Sequence, residues 1–319
     1  MTPSFKTILK SGLIGVSALA VGSAGIVFAS AQTLAGGAGG QLTLEGFVGT
    51  LEIREGSAFA YDLDMGAGLV PEVMVTKASG RMSVDGHLDG GPERCNQNNR
   101  KFEMQMEGGK KRSITDFPTL ILTVPAGTSM DLNVLGGQLS LSDAQSLDLA
   151  FHGCGDVEFA DVADQLDLSI YGSGDVTGGS TGAANVSIRG SGDFELGDVR
   201  GDALVSIAGS GDVDIGRIAG RADLNIRGSG DISIQSISDE LVVDLGGSGD
   251  VEIEEGEVGK LDVNVLGSGD VMFNGEAYDV SVLLKGSGDV YVARSNGNRS
   301  VSRYGSGDVR IGSWRYDDD

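Results

Sequence analysis

Nine aspartates recur through the C-terminal half of the chain at an almost fixed interval. They are Asp156, Asp175, Asp193, Asp212, Asp231, Asp250, Asp270, Asp289 and Asp308, separated by 19, 18, 19, 19, 19, 20, 19 and 19 residues. Four carry a second acid two positions on: Asp156 with Glu158, Asp193 with Glu195, Asp212 with Asp214, and Asp250 with Glu252. Carboxylates repeated in register could share a hard cation such as Ca²⁺, which takes six to eight oxygens. The plainer chemistry is turn capping, in which a short carboxylate accepts backbone N–H groups. Asp175, Asp231, Asp270, Asp289 and Asp308 are read as structural corners of that kind. A Cys-His pair in Phe151-His152-Gly153-Cys154-Gly155-Asp156 hints at nucleophilic chemistry. It is read as a corner variant whose sulfur joins a disulfide, and two histidines in the whole chain make no zinc set. No catalytic residue and no cofactor is assigned, Ca²⁺ on the acidic ladder being the one ion considered.

The elements that must position these acids are legible from the residues around them. Each aspartate ends a Gly-Ser-Gly-Asp tetrad or a near copy. Counting from it, positions +1 and +3 are apolar (Val213 and Ile215, Ile232 and Ile234), and so are −9, −7 and −5 (Ala222, Leu224 and Ile226; Leu241, Val243 and Leu245). Alternation with period 2 predicts strands with one face inward. Antiparallel hairpins would not repeat one residue class at one offset, because neighbouring strands run in opposite senses. Coils stacked in parallel about 4.8 Å apart do repeat it. The predicted fold is therefore all-β, a single-stranded parallel β-helix of about 19 residues per coil. Glycines flanking the corner serine are expected to supply positive φ. Stacked aspartates repel by about 0.9 kcal/mol per neighbouring pair at water's dielectric constant, which hydrogen bonds, solvent or cations must offset. Arg189, Arg227 and Lys285, four residues before their corners, are expected to pair with nearby aspartates.

The predicted domains are a signal peptide at 1–31, an N-terminal β-strand and cap region at 32–135 continuous with the solenoid, parallel β-helix repeats at 136–312 and an acidic tail at 313–319. Lys6 and Lys10 precede an apolar core, and Ala29-Ser30-Ala31 offers a small-x-small cleavage site. Cleavage removes two lysines and no acid, taking the formal charge from −23 to −25. A chain this acidic repels nucleic acid and anionic lipid and attracts cations and basic partners. Past the leader no stretch reaches the ~18 apolar residues that span a bilayer as a helix. Two cysteines in an exported chain predict one disulfide, Cys95–Cys154, against the alternatives of free thiols or intermolecular pairing. Arg299 and Arg303 sit at offsets that are apolar in earlier coils, so the last coil is atypical, with Trp314 and Tyr316 placed to cover the open end.

The corner tetrads, the opening Glu45-Gly46-Phe47-Val48-Gly49-Thr50-Leu51-Glu52-Ile53 and the Thr123-Val124-Pro125 strand resemble the head GIN domain family of auto-transporter adhesins. The resemblance implies a right-handed β-helix and an envelope location: periplasm, outer-membrane surface or extracellular. The functional expectation is a binding, adhesion or structural module without catalysis, meeting a protein or glycan at the envelope, or a second copy of itself. A Ca²⁺-binding surface protein and a polysaccharide-active β-helix enzyme are the alternatives.

Overall fold

The computed structural model describes residues 39–98 and 101–315, so the predicted leader at 1–31 and residues 316–319 of the predicted tail at 313–319 lie outside the described residues. The described chain is a parallel β-solenoid of about 19 residues per turn and about 10 turns. One short 3₁₀ turn, Ile114–Asp116, interrupts the strands.

Register confirms that equivalent offsets stack. Leu132, Leu149, Leu168, Val186, Val205, Leu224, Val243, Val263, Val282 and Val301 form one inward column through successive parallel pairings. All but Val301 are buried. Branched aliphatics suit this column because each side chain touches its equivalents one coil away, and a pleated surface favours stiff χ1 rotamers.

The stack begins upstream of the Gly136-Gly137 corner. Strand Gly40–Gly56 pairs in parallel with Thr128–Leu141 on one side. On its other side it pairs in parallel with Arg81–Asp85 and Thr119–Pro125. The first strand is therefore sandwiched between strands that follow it in sequence. The outermost rung is closed by antiparallel partners, Met74–Ala78 on Arg81–Asp85 and Ala60–Asp64 on Thr119–Pro125. Switching from parallel to antiparallel pairing ends the repeat and covers the open edge.

The far end is closed by different means. Arg299 and Arg303 occupy rung positions held by buried aliphatics in the coil before them. Arg299 donates to the Ser295 carbonyl (2.7 Å), and Arg303 donates to the Gly307 carbonyl (3.0 Å) and lies 3.5 Å from Asp308. Charge on a terminal strand opposes addition of another strand. Trp314–Arg315 folds back antiparallel on Val309–Ile311, and Trp314 packs against the core.

Residues 94–113 leave the solenoid as a small three-stranded antiparallel sheet, Arg94–Asn98, Lys101–Gln105 and Arg112–Ser113. This arm has its own core, in which Phe102, Met104 and Phe117 meet Val48, Leu135 and Cys154 of the solenoid flank. The Cys95–Cys154 disulfide fastens it, with Cα atoms 6.2 Å apart and a sequence separation of 59.

Candidate functional site

The corner column is the most regular feature of the molecule, and its hydrogen bonding explains the tetrad. The serine N–H donates to the carbonyl of the first corner glycine one coil earlier, as Ser229 does to Gly209 and Ser248 to Gly228, both at 2.9 Å. The aspartate carbonyl accepts from the residue following the previous aspartate, as Asp231 does from Val213 at 2.9 Å. The aspartate's own N–H donates to the carboxylate of the aspartate one coil earlier. Asp212 donates to Asp193 Oδ1 (2.9 Å), Asp231 to Asp212 (2.9 Å), Asp250 to Asp231 (2.7 Å) and Asp270 to Asp250 (2.8 Å). Asp289 to Asp270 (2.7 Å) and Asp308 to Asp289 (2.8 Å) continue the chain. Where the strand turns, the ladder offers this N–H no carbonyl, and the carboxylate takes the carbonyl's place. The acid thus caps its neighbour's coil rather than its own turn.

This arrangement also offsets the repulsion between stacked acids, since each negative oxygen faces the positive end of an N–H dipole. At the last rung among the described residues, Asp308 meets the Arg303 guanidinium instead.

The corner glycines answer to the same stacking. A Cβ on Gly209, Gly228, Gly247 or Gly267 would meet the carbonyl oxygen of the equivalent glycine one coil earlier. The approach would be closer than 3.0 Å, which real Cβ atoms essentially never show. Positive φ in the left-handed region is confined to a few, such as Gly172 (135°) and Gly190 (152°). Close backbone approach, rather than positive φ, is the general reason for glycine here.

The double acidic ladder is interrupted. In register, Glu158 faces Thr177, Thr177 faces Glu195, Glu195 faces Asp214, Asp214 faces Ser233, and Ser233 faces Glu252. Only Glu195 and Asp214 are acids in adjacent coils. Asp156 stacks on Asp175 across coils. No group of three or more His, Cys, Asp or Glu side chains that could hold a metal occurs among the described residues. His152 stacks on Tyr171 with centroids 4.7 Å apart and planes within 6°, and burial lowers its pKa. Cys154 is taken up by the disulfide, so the pair has no free thiol.

The predicted pairing of Arg189 and Lys285 with corner aspartates is replaced by ring contacts. Arg189 lies over Tyr171 at 5.5 Å, and Lys285 over Tyr304 at 5.8 Å. Both rings occupy the same offset in a neighbouring coil, so the stacking that aligns the aspartates aligns these groups too. Arg227 makes no ion pair with any described residue.

Two acidic features had no counterpart in the sequence reading. A second set of carboxylates caps the opposite bends: Asp161 accepts from Ser180 N–H (2.7 Å), Asp198 from Arg217 (2.9 Å), Asp202 from Arg221 (2.9 Å) and Asp279 from Asn298 (2.8 Å). The signal for it is again a 19-residue step, hidden because the upper residue need not be acidic. Nearer the N-terminal end, Asp131, Asp148 and Asp167 stack directly in register. Burial, then Asp131 and Asp167, raise the Asp148 carboxyl to about 6. Burial likewise raises Asp131 and Glu45, the latter opposed by Asn133, whose Nδ2 donates to its Oε2 at 3.2 Å.

The family model described as "Putative auto-transporter adhesin, head GIN domain" matches residues 96–234 and 205–313. The chain belongs to this family. No curated protein sequence matches the GIN-domain chain. Among solved structures it is similar to a putative adhesin from Bacteroides fragilis at 14% identity, covering 86% of this chain and 92% of that one, with a TM-score of 0.37.

Proposed function

We propose that this GIN-domain chain is an exported envelope protein whose solenoid is a non-catalytic binding or adhesion module. The observation that carries the reading is the use already made of the corner carboxylates. One oxygen of Asp193, Asp212, Asp231, Asp250, Asp270 and Asp289 is occupied by a backbone N–H of the next coil. A general acid or nucleophile needs a group poised by an irregular environment, whereas these acids share one environment along the column. What the stack offers a partner is long, repeated, polar faces over which contact can be distributed. Family membership supports adhesion, and the N-terminal leader motif supports export.

Excising one coil tests this. Deleting Val213 to Asp231 joins Asp212 to Ile232, which preserves the corner sequence and the stacking register. Attachment of the shortened protein to isolated cell envelopes should fall only modestly. All-or-none loss from a correctly folded, shortened solenoid would instead place function in a single local site.

A further inference from the structure

The arm inverts the charge of the molecule. Between residues 94 and 112 the sequence carries six cations (Arg94, Arg100, Lys101, Lys110, Lys111 and Arg112) against two acids, Glu103 and Glu107. The rest of the chain is strongly acidic. On the solenoid several cations are paired with acids: Arg221 with Asp223 and Glu240, Lys260 with Glu240 and Asp262, Arg294 with Glu276. Between Met106 and the strand Arg112–Ser113, the side chains of Lys110, Lys111 and Arg112 are exposed and make no hydrogen bond or ion pair with any described residue. Three adjacent cations left unneutralised on a chain with so many acids are unspent.

They border a cavity. A depression of about 320 Å³ is lined by Leu69, Met106, Gly108, Gly109, Lys110, Arg112 and Phe117. Its floor is apolar: Phe117 is buried, Met106 packs against the arm's core, and Leu69 is 36% exposed at the edge. Lys110 and Arg112 supply its positive rim. The loop is also held in shape, by Gly109 N–H to the Met106 carbonyl (2.9 Å) and Gln105 Nε2 to the Gly109 carbonyl (3.0 Å). An apolar floor with a cationic rim complements a molecule that is anionic at one end and apolar at the other.

We propose that the arm docks on the surface of an acidic phospholipid bilayer, a headgroup phosphate lying between Lys110 and Arg112 and the adjoining apolar part over Leu69 and Met106. Composition argues against anionic lipid for the chain as a whole, and the arm is the local exception. Fields decay within about 8 Å at physiological salt, so the acidic coils stacked onward toward Asp308, each about 4.8 Å beyond the last, lie mostly outside the range of a bilayer touching Lys110 and Arg112. The same repulsion directs the acidic shaft away from the bilayer, which would hold the repeated faces clear of the surface. The disulfide and the arm's core make the mount rigid rather than tethered. Basic clusters with neighbouring apolar side chains are how peripheral proteins hold anionic membranes.

This inference rests on the envelope placement proposed above, yet it can fail while the coil-excision result stands. Protein recovered after export, its N-terminus fixed by mass spectrometry, is floated with vesicles of phosphatidylcholine alone or with about one-third phosphatidylglycerol. Wild-type protein should float with the anionic vesicles only, and severalfold less in ~0.5 M NaCl. Lys110→Glu/Lys111→Glu/Arg112→Glu should weaken binding more than about tenfold, and Leu69→Asp severalfold. Unchanged circular dichroism shows that each variant folds, and Lys111→Gln/Arg112→Gln gives a milder version in the same direction. Equal flotation of wild type and triple variant would overturn the proposal, as would binding to neutral vesicles alone. Competition by millimolar inorganic phosphate would reduce the site to a headgroup-sized anion pocket and overturn the bilayer assignment. Salt-sensitive self-association lost in the triple variant, without flotation, would overturn it in favour of the acidic faces of a second copy.

Discussion

The repeats from Asp175 to Asp308 and the N-terminal rungs around Gly40–Gly56 are built from the same parallel stacking, yet they solve it in opposite ways. In the repeats, one corner sequence recurs and every coil satisfies the next, so position along the stack hardly matters. In the N-terminal region the first strand lies between later ones, antiparallel strands close the end, and a disulfide-fastened arm projects from the side. The contrast teaches that regularity here serves propagation, while irregularity is confined to where the stack must stop or present something. Repeat proteins divide their stability in this way, with near-neighbour terms in the interior and special contacts at the caps.

The sharpest way to break the repeat is to separate two of its coils. Gly228→Ala places a methyl against the Gly209 carbonyl with no flexible side chain to yield. It should cost more than about 4 kcal/mol, at the diagnostic end of single substitutions, or abolish cooperative melting. Gly90→Ala, beside the arm with nothing within 4 Å of the added carbon, should be near neutral. Thermal melts of the two variants compare a stacked glycine with an unstacked one.

Cys95→Ser/Cys154→Ser attacks the other region. Opening a loop with 59 residues of separation removes about 4 kcal/mol in the chain-entropy model. Because the bridge lies at the arm, limited proteolysis should cut residues 94–112 first and leave the repeats intact.

Asp231→Ala should cost about 1–2 kcal/mol, since it leaves the Asp250 N–H without its acceptor. Asp231→Asn keeps an oxygen in place and should cost under about 1 kcal/mol. The same pair of substitutions at Asp270 should give matching values, because that corner has the same partners.

The smallest effect is electrostatic. The folded Asp148 carboxyl titrates near 6, above its unfolded value of 3.8. Its stabilising share is therefore fully present below about pH 4 and is lost as pH rises through about 6. With its partial exposure discounted, the loss is on the order of 1 kcal/mol. Asp148→Asn should raise stability at pH 7.5 by up to about that amount and flatten the rise between pH 7 and 5, as read from denaturant midpoints.

The interior of the repeat was legible because period-2 alternation and a 19-residue step leave few choices for where Leu224 or Val243 points. The corner's location was equally plain. Its chemistry was not, because a carboxylate capping its own turn and one capping the next coil give the same sequence. The role of corner glycine was hidden likewise: Gly228 has an ordinary backbone angle and is required by what lies one coil away. The insertion of Gly40–Gly56 between later strands left no trace, since pairing order is a long-range property that alternation does not encode. The arm's cations were in plain view, but their lack of partners is visible only once the other charges are placed.

Amide hydrogen exchange at Asp250 tests the interlocking column most directly. Its N–H lies outside the regular strand and donates to Asp231 Oδ1 at 2.7 Å. Protection in the wild type and in Asp231→Asn, with exchange at least about tenfold faster in Asp231→Ala and little change at Asp308, is the required result. Equal exchange at Asp250 in all three proteins would mean that the aspartates merely line the surface, and the structural reading of the column would be wrong.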